Sequence, residues 1–461
     1  MAEEKKKELK ALVRLALPLA AAQAGMTLMG LVDVAVLGRL GAEELGASGL
    51  GNALFFAIAI VGVGIVMGVD PLVSQALGAR DEVEARRVLW QGVWLSIVVG
   101  LFLMIPMILS PLILRPMGID ASLVAPAALY TKIRALSLVP FLMFVAIRAY
   151  LQAHGITRPM IVAMVIGNVF NLLADLLFVF GGGGLPEWTG PLRSVPAYGV
   201  AGAALATVLG SVLQLAILAM AVRAIPAPAE ASDLRRIDRR LFGSAFRVGV
   251  PVGLQMGAEV GVFALAGLFA GKFGAAPLAA HQIALSLASF TFTCALGIGS
   301  AASVRVGRKV GALDTPGARS AGLVAFGAGG AFMAMSALLF WLFPGQLASL
   351  MTNQPVVLAA AVPLLAVAAV FQISDGIQGV GAGVLRGAGD TRFAFYANVV
   401  GHWFVGLPVA LFLAFRLGYG VVGLWWGLCV GLTAVAALLY VRFLRISSRE
   451  IRPLVRPFPM H

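Results

Sequence analysis

The chain has 461 residues, of which 60% are hydrophobic and only 12% are charged, and its mean hydropathy is +0.95. A soluble domain has about 45–50% apolar and about 25% charged residues, so this composition excludes a soluble globular protein and predicts a polytopic membrane protein. The net charge of +13 does not indicate a nucleic-acid partner, because the sequence offers no basic folded face to bind one.

Twelve apolar segments are long enough to cross a bilayer as helices, since each crossing needs about 20 apolar residues. The first six run roughly over residues 11–37, 46–76, 88–113, 121–147, 159–181 and 198–222. The last six run roughly over residues 241–271, 277–304, 320–344, 355–385, 393–415 and 420–441. The pattern predicts an N-terminal six-helix half (1–222), a cytoplasmic linker (223–240), a C-terminal six-helix half (241–445) and a basic cytoplasmic tail (446–461).

The basic residues lie mostly in alternate loops. If the N-terminus is cytoplasmic, 27 of the 34 lysines and arginines lie on the cytoplasmic side and 5 lie on the opposite side. The remaining two, Lys132 and Arg134, lie within a segment. Cytoplasmic loops carry the excess of positive charge, so we expect both termini in the cytoplasm. The first segment continues to Leu37, beyond the apolar region of a signal peptide, and is interpreted as a retained span.

The two halves resemble each other in sequence. A shift of 233 residues without a gap places Pro18 on Pro251, Gly78-Ala79 on Gly311-Ala312 and Arg86 on Arg319. An even number of spans in each copy makes the two copies parallel, related by an axis along the membrane normal. Transporters built in this way hold their substrate between repeats near the middle of the membrane.

Four acids interrupt the apolar segments: Asp33, Asp175, Glu259 and Asp375. A carboxylate near the bilayer centre costs about 2.5–3.5 kcal/mol on insertion scales. The acids do not follow the repeat, because Asp33 aligns with Ala266 and Glu259 aligns with Met26. Acids in these positions bind cations, relay protons or meet a charged substrate, so we expect function to depend on them.

The depth of two acids follows from the helical rise of about 1.5 Å per residue. Glu259 lies about 18 Å beyond Arg247, and Asp375 lies about 16 Å before Arg386. Both acids are therefore near mid-membrane in the second half, where they are suited to share a proton or a Na⁺ ion. Glu259 and Asp375 are the predicted Na⁺ ligands.

A second polar group lies in the first half. Asn168, Asn171 and Asp175 occupy one segment, and residues four apart share a helix face, so Asn171 and Asp175 can meet one ligand. We consider these three residues a proton or substrate cluster. Asp33, late in the first segment, belongs to the same half. For each of the four acids the alternative is a packing role, in which the carboxyl group binds a neighbouring Ser, Asn or backbone group.

Other polar and sulfur-containing residues have weaker functional interpretations. Gln282, Met26 and Met256 are candidates for a substrate cavity, although core packing explains methionines equally well. His281, His402 and Asp70 are interpreted as packing or helix-end residues. The string Gly387-Ala388-Gly389-Asp390 has the spacing of an intramembrane aspartyl protease motif, but it repeats as a turn in the first half. No ATP-binding or zinc-protease motif occurs, so no enzyme activity is predicted.

Three strings resemble those of the multidrug and toxic compound extrusion (MATE) exporters. They are Asp33-Val34-Ala35-Val36-Leu37-Gly38-Arg39, Ala279-Ala280-His281-Gln282-Ile283-Ala284 and Leu385-Arg386-Gly387-Ala388-Gly389-Asp390-Thr391-Arg392. Among the branches of the family, the chain looks most like NorM. The resemblance implies that Asp33, Glu259 and Asp375 couple to cations. Asp175 departs from that branch and resembles the DinF-like branch instead, and Asn353-Gln354 stands where some NorM relatives carry acids.

The sequence as a whole predicts an all-α integral membrane protein of twelve transmembrane helices, arranged as two six-helix halves. We expect a monomeric antiporter in a bacterial inner membrane that exports amphipathic, often cationic drugs in exchange for Na⁺ or H⁺. No cofactor is predicted besides the coupling ion. A flippase for lipid-linked substrates on the same scaffold is the alternative; it would need basic residues in mid-membrane, and only Lys132 and Arg134 suggest it.

Overall fold

The computed structural model describes residues 2–184, 186–226 and 233–454, and all regular elements in these ranges are helical. Within the predicted linker, residues 227–232 lie outside the described part of the chain, as do residues 455–461 of the predicted tail. The described chain therefore confirms an all-α protein, and the four-part domain division stays a prediction.

Eight helices precede the linker, and eight follow it within the described residues. The first group comprises α1 (Ala2–Leu37), α2 (Ala42–Val66), α3 (Val69–Gly78), α4 (Glu82–Leu109), α5 (Ala121–Ala135), α6 (Leu138–Ala153), α7 (Arg158–Phe180) and α8 (Val200–Arg223). The second comprises α9 (Arg239–Gly271), α10 (Ala275–Gly311), α11 (Thr315–Leu342), α12 (Pro344–Ser349), α13 (Pro355–Ala388), α14 (Thr391–Val399), α15 (Leu407–Leu411) and α16 (Gly420–Ser447).

The helices account for every predicted membrane segment. Ten helical stretches in the described residues are long and apolar enough to cross a membrane, and the pair α5 and α6, bent by 44°, forms an eleventh. The first predicted segment lies within α1, which has 36 residues. The prediction of twelve spans in an integral membrane protein thus agrees with the helices observed.

The internal repeat is visible in the backbone. Arg80 (φ 61°) and Leu313 (φ 59°) are the non-glycine residues with positive φ among those described, and they are equivalent in the repeat. Each is followed by an aspartate, Asp81 or Asp314, whose carboxylate accepts a bond of 2.8 Å from the backbone amide three residues later. Because a left-handed conformation is rare outside glycine, its recurrence at equivalent positions supports a duplicated helix–turn–helix unit.

The described chain forms two compact units. The larger unit comprises the described parts of residues 1–20, 70–85 and 247–461, and the smaller unit comprises those of residues 21–69 and 86–246. Residues 70–85, which include most of α3, therefore belong to the larger unit, although they lie in the first half of the sequence.

The larger unit is built around α13, which packs against α10, α11 and α16. Glycines allow the close approach of α10 and α13: a Cβ atom on Gly299 would lie 2.8 Å from the Gly379 carbonyl oxygen, and one on Gly383 would collide with the Gly299 backbone. Small residues bring helix backbones together in this way in membrane proteins. An apolar core that includes the fully buried Trp425 lies among α9, α10, α13 and α16.

In the smaller unit, α8 packs against α5, α6 and α7, and α2 packs against α5. Apolar residues from α1, α5, α7 and α8 form one core of this unit, which includes Val36, Tyr130 and Val179. The same four helices also carry a cluster of polar residues.

Candidate functional site

The larger unit holds a polar cluster around Glu259 on α9. The Glu259 carboxylate accepts hydrogen bonds from Gln378 on α13 (Nε2 to Oε2, 3.1 Å) and from Asn398 on α14 (Nδ2 to Oε2, 3.2 Å). Asp375 on α13 is 5% exposed and lies close enough to Glu259 for the two carboxylates to interact electrostatically. The structure thus brings together the two acids that the sequence predicted to share a site, and we call these four residues the Glu259 cluster.

Helix geometry explains how the Glu259 cluster is assembled. Asp375 and Gln378 are three residues apart on α13 and therefore share a face. Asn398 lies in the last turn of α14, and a π-helical stretch, Val400–Gly406, follows directly. Pro408 follows this stretch, lacks an N–H group and crowds the preceding turn, which gives a physical reason for the wider helix. Such π-helical turns occur often at functional sites.

The unpaired oxygens of the Glu259 cluster suit a cation. Oε1 of Gln378 and Oδ1 of Asn398 are buried and have no hydrogen-bond donor within the described residues. Buried polar atoms normally have a partner, and hard cations are bound by carboxylate and amide oxygens. The described residues contain no group of three or more His, Cys, Asp or Glu side chains that could hold a metal ion. The ligands available here are two carboxylates and two amides.

The smaller unit holds a second polar cluster around Asp33 on α1. Thr207 on α8 donates to Oδ2 of Asp33 (3.4 Å), and Asn171 and Asp175 on α7 lie beside the same carboxyl group. Asn171 and Asp175 are fully buried. The structure brings Asp33 and Asp175 together from helices about 140 residues apart in the sequence. These residues, with Tyr130 and Arg134 of α5, form the Asp33 cluster.

Arg134 is the basic member of the Asp33 cluster. It is 7% exposed, and its guanidinium carbon lies 4.3 Å from the centre of the Phe55 ring. It interacts electrostatically with Asp33 and Asp175. Neither oxygen of Asp175 has a hydrogen-bond donor in the described part of the smaller unit, so the Asp33 cluster also contains buried oxygens without a partner.

The other predicted site residues lie elsewhere. Asn168 donates to the carbonyl oxygen of Gly25 (3.0 Å) and so bonds the α1 backbone two turns before Asp33. Gln282 is exposed on α10, and Met256 is half-buried on α9. The side chain of Met26 lies outside the described residues. The participation of these residues in a substrate site stays a prediction.

Residues interpreted as packing residues also have defined positions. His281 is fully buried, and its Nδ1 atom lies 3.1 Å from Nε1 of Trp425, which donates to it. His402 is 1% exposed, and neither ring nitrogen has a partner in the described residues. Asp70 forms an ion pair with Arg386 (Oδ2 to Nε, 3.2 Å), in which each side chain is about one-tenth exposed.

Sequence reasoning missed Gln378, Asn398, Tyr130 and Thr207. Gln378 was detectable, because it stands three residues after Asp375 on the same helix face. Asn398, Tyr130 and Thr207 carried no comparable signal, since a single polar residue in an apolar span shows nothing about which helix it faces. Arg134 entered the sequence analysis only as a hint of a flippase.

A protein-family model described as MatE matches residues 18–177 and 251–412 of the chain. The chain is 35% identical over 452 residues to the probable multidrug resistance protein NorM of Mesorhizobium japonicum, covering 95% of this chain and 94% of that protein. It is 36% identical over 447 residues to the multidrug resistance protein NorM of Burkholderia vietnamiensis, covering 95% of each chain.

Solved structures with the same fold include the eukaryotic MATE transporter AtDTX14, with a TM-score of 0.83, 22% identity and 96% of both chains covered. They also include a MOP superfamily transporter from Pyrococcus furiosus, with a TM-score of 0.84, 22% identity and the same coverage. That structure was described as having a binding pocket of reverse polarity that suggests a different function.

Proposed function

The chain belongs to the MatE family, and we propose that it is a cation-coupled antiporter that exports amphipathic, often cationic compounds by alternating access. The proposal places it in a bacterial inner membrane as a monomer, with both termini in the cytoplasm. Its partners would be drug-like small molecules and the lipid bilayer, and its coupling ion Na⁺ or H⁺, with no further cofactor.

The observation that carries this proposal is the Glu259 cluster. Glu259 and Asp375 lie together in a membrane-embedded unit, and neither has a lysine or arginine partner among the described residues. Two carboxylates that are buried close together repel each other unless a proton or a cation compensates them. A cluster of this kind therefore has a built-in affinity for positive charge.

Competition between the ion and the drug for these acids would couple inward movement of the ion to outward movement of the drug. A cation that enters from outside and binds Glu259 and Asp375, or protonates Asp33, neutralises the charge that attracts a cationic drug. The drug is then released outside, and the ion later leaves to the cytoplasm. Each charge moving down the membrane potential supplies about 2.3 kcal/mol per 100 mV, in addition to its concentration gradient.

A second candidate function is the flipping of lipid-linked anionic substrates. Arg134 is the observation that favours it, because a buried guanidinium in a membrane-spanning unit is a suitable partner for phosphate. Against it, Arg134 interacts electrostatically with two carboxylates that would repel an anion, and Lys132 is exposed. The antiporter is therefore the proposal we favour.

The test is efflux of a fluorescent organic cation from proteoliposomes with Na⁺ and H⁺ gradients imposed separately. The wild type is compared with Asp33→Asn, Glu259→Gln and Asp375→Asn. We expect one gradient to drive efflux and the substitution of the matching acid to reduce it about tenfold or more, as expected for the loss of about 1.4 kcal/mol or more of ion binding.

A matched control is Asp120→Asn. Asp120 caps α5 from an exposed position outside the spans, and asparagine caps helices as well as aspartate does, so efflux should be unchanged. If neither gradient moves the cation in well-folded wild-type protein, drug antiport is refuted, and transport of a lipid-linked anion becomes the leading function.

A further inference from the structure

The end of the linker between the two sequence halves is held against the start of α4. The side-chain amide of Gln91 donates to the carbonyl oxygen of Arg236 (2.8 Å) and accepts from the backbone amide of Asp238 (3.0 Å). The indole nitrogen of Trp94 donates to the carbonyl oxygen of Arg235 (2.9 Å). Because backbone groups of three linker residues are bonded to α4, this part of the linker has a defined position on the smaller unit.

This fixed segment, residues 233–240, exposes basic side chains, and we call it the linker platform. Asp233 pairs with Arg236 (Oδ1 to Nε, 3.2 Å). Asp238 caps the start of α9 by accepting from the backbone amide of Arg240 (2.8 Å). Both acids of the platform therefore have a structural role, and its net charge is +2. Its four exposed arginines are Arg235, Arg236, Arg239 and Arg240.

The contacts with α4 place the linker platform at the level of the membrane interface. Trp90 and Trp94 stand in the first two turns of the predicted apolar segment, and the guanidinium carbon of Arg235 lies 4.9 Å from the centre of the Trp90 ring. Tryptophan is enriched at the boundary between hydrocarbon and headgroups. Ile237 is 55% exposed between the arginines. An exposed isoleucine beside exposed arginines matches the two parts of a phospholipid, an acyl chain and a charged headgroup.

We propose that the linker platform binds the headgroup of an anionic phospholipid. Guanidinium groups bind phosphate through charge-assisted hydrogen bonds, and each basic residue near an anionic membrane surface strengthens the attraction about fivefold. The bonds to α4 hold the backbone of the platform in place before a lipid arrives, so less conformational freedom is lost on binding. In the orientation proposed above, this lipid belongs to the cytoplasmic leaflet.

The test counts lipid molecules bound to the purified full-length protein by native mass spectrometry in a neutral detergent. The probe is phosphatidylglycerol, and the comparison ligands are zwitterionic phosphatidylcholine and soluble glycerol phosphate, which has the charge but no acyl chains. We expect the wild type to bind phosphatidylglycerol about tenfold more tightly than either comparison ligand. Arg235→Gln/Arg239→Gln/Arg240→Gln should lower the affinity for phosphatidylglycerol about tenfold or more.

The matched control removes three exposed arginines after the last span. Arg445→Gln/Arg449→Gln/Arg452→Gln changes the net charge of the protein by the same amount and should retain the wild-type affinity. Gln91→Leu tests the positioning of the platform with every arginine in place. Gln91 is 1% exposed and so does not touch a lipid, and loss of its two bonds to the linker should lower the affinity about threefold or more.

Three results would overturn the inference. Equal losses in the two arginine variants would mean that net charge alone attracts the lipid, and unchanged affinity in the linker variant would exclude the platform. Glycerol phosphate that binds as tightly as phosphatidylglycerol would replace the lipid by a free phosphate ester. A well-folded Gln91→Leu protein with wild-type affinity would refute the positioning by α4. Binding is measured without transport, so the outcome is independent of that of the proposed function.

Discussion

At the scale of single residues, Asn398 brings a third helix, α14, to the Glu259 cluster. Its side chain is fully buried and donates to Glu259, and its own amide oxygen has no donor among the described residues. Asn398 therefore both orients a carboxylate and presents a further oxygen. We regard it as a positioning residue for the coupling ion.

We predict that Asn398→Leu raises the ion concentration for half-maximal transport about tenfold and changes the maximal rate by less than about twofold. A hydrogen bond to a charged group contributes about 1.5–3 kcal/mol, and its loss weakens the ion-bound state without removing either acid. The measurement is the transport rate as a function of Na⁺ or H⁺ concentration. Asn353→Leu, in the exposed loop before α13, is the control; an unchanged half-maximal concentration in Asn398→Leu contradicts a positioning role.

At the scale of helices, the contact between α10 and α13 fixes the position of Asp375 and Gln378. The contact depends on glycines at which no side chain fits, because a Cβ atom on Gly383 would overlap the Gly299 backbone. The glycine-rich string from Gly379 to Gly383 is therefore a packing surface of α13. Asp375 and Gln378 thus lie on a helix whose position depends on close backbone packing.

We predict that Gly383→Ala destabilises the protein by about 1–3 kcal/mol, the usual cost of overpacking a core. The matched control is Gly330→Ala on α11, where an added Cβ meets nothing within 4 Å. Alanine is favoured over glycine inside a helix by about 0.5–1 kcal/mol, so the control should be neutral or stabilising. The measurement is the thermal unfolding midpoint of both variants in detergent. Equal midpoints would show that the contact between α10 and α13 accommodates a side chain at position 383.

At the scale of the whole molecule, the first-half segment 70–85 is incorporated in the larger unit. Asp70 pairs with Arg386, and Gln75 donates to the carbonyl oxygen of Gly387 (3.1 Å) and accepts from the amide of Leu454 (2.7 Å). These contacts join segments more than 300 residues apart in the sequence. The larger unit is therefore not a simple continuation of one sequence half.

For the pair Asp70 and Arg386, we predict that each single substitution destabilises the protein more than the double substitution does. Asp70→Asn or Arg386→Met removes one partner of a nearly buried ion pair and should destabilise by about 3–5 kcal/mol, whereas Asp70→Asn/Arg386→Met should recover much of that loss. The measurement is a double-mutant cycle by thermal unfolding. Additive effects of the two substitutions would mean that the two charges do not depend on each other.

The sequence by itself determined the membrane class, the twelve spans, the duplication and the identity of the buried acids. Hydropathy, repeated spacing and the cost of burying a charge in the membrane all follow from the order of residues along the chain. Four acids in apolar spans can therefore be recognised without knowing how the helices pack. Asp375 and Gln378 also share a face by spacing alone. These features require no knowledge of which helices are neighbours.

Only the tertiary structure decided which residues meet. Asp33 meets Asp175, Glu259 meets Asn398 across 139 residues, and Asp70 meets Arg386. Helices in a bilayer are apolar on most faces, so the hydrophobic pattern along the chain does not specify their neighbours. Close packing at glycines and the pairing of buried polar groups select those neighbours, and both act between segments that are far apart in the sequence. The composition of each cluster is therefore a property of the fold.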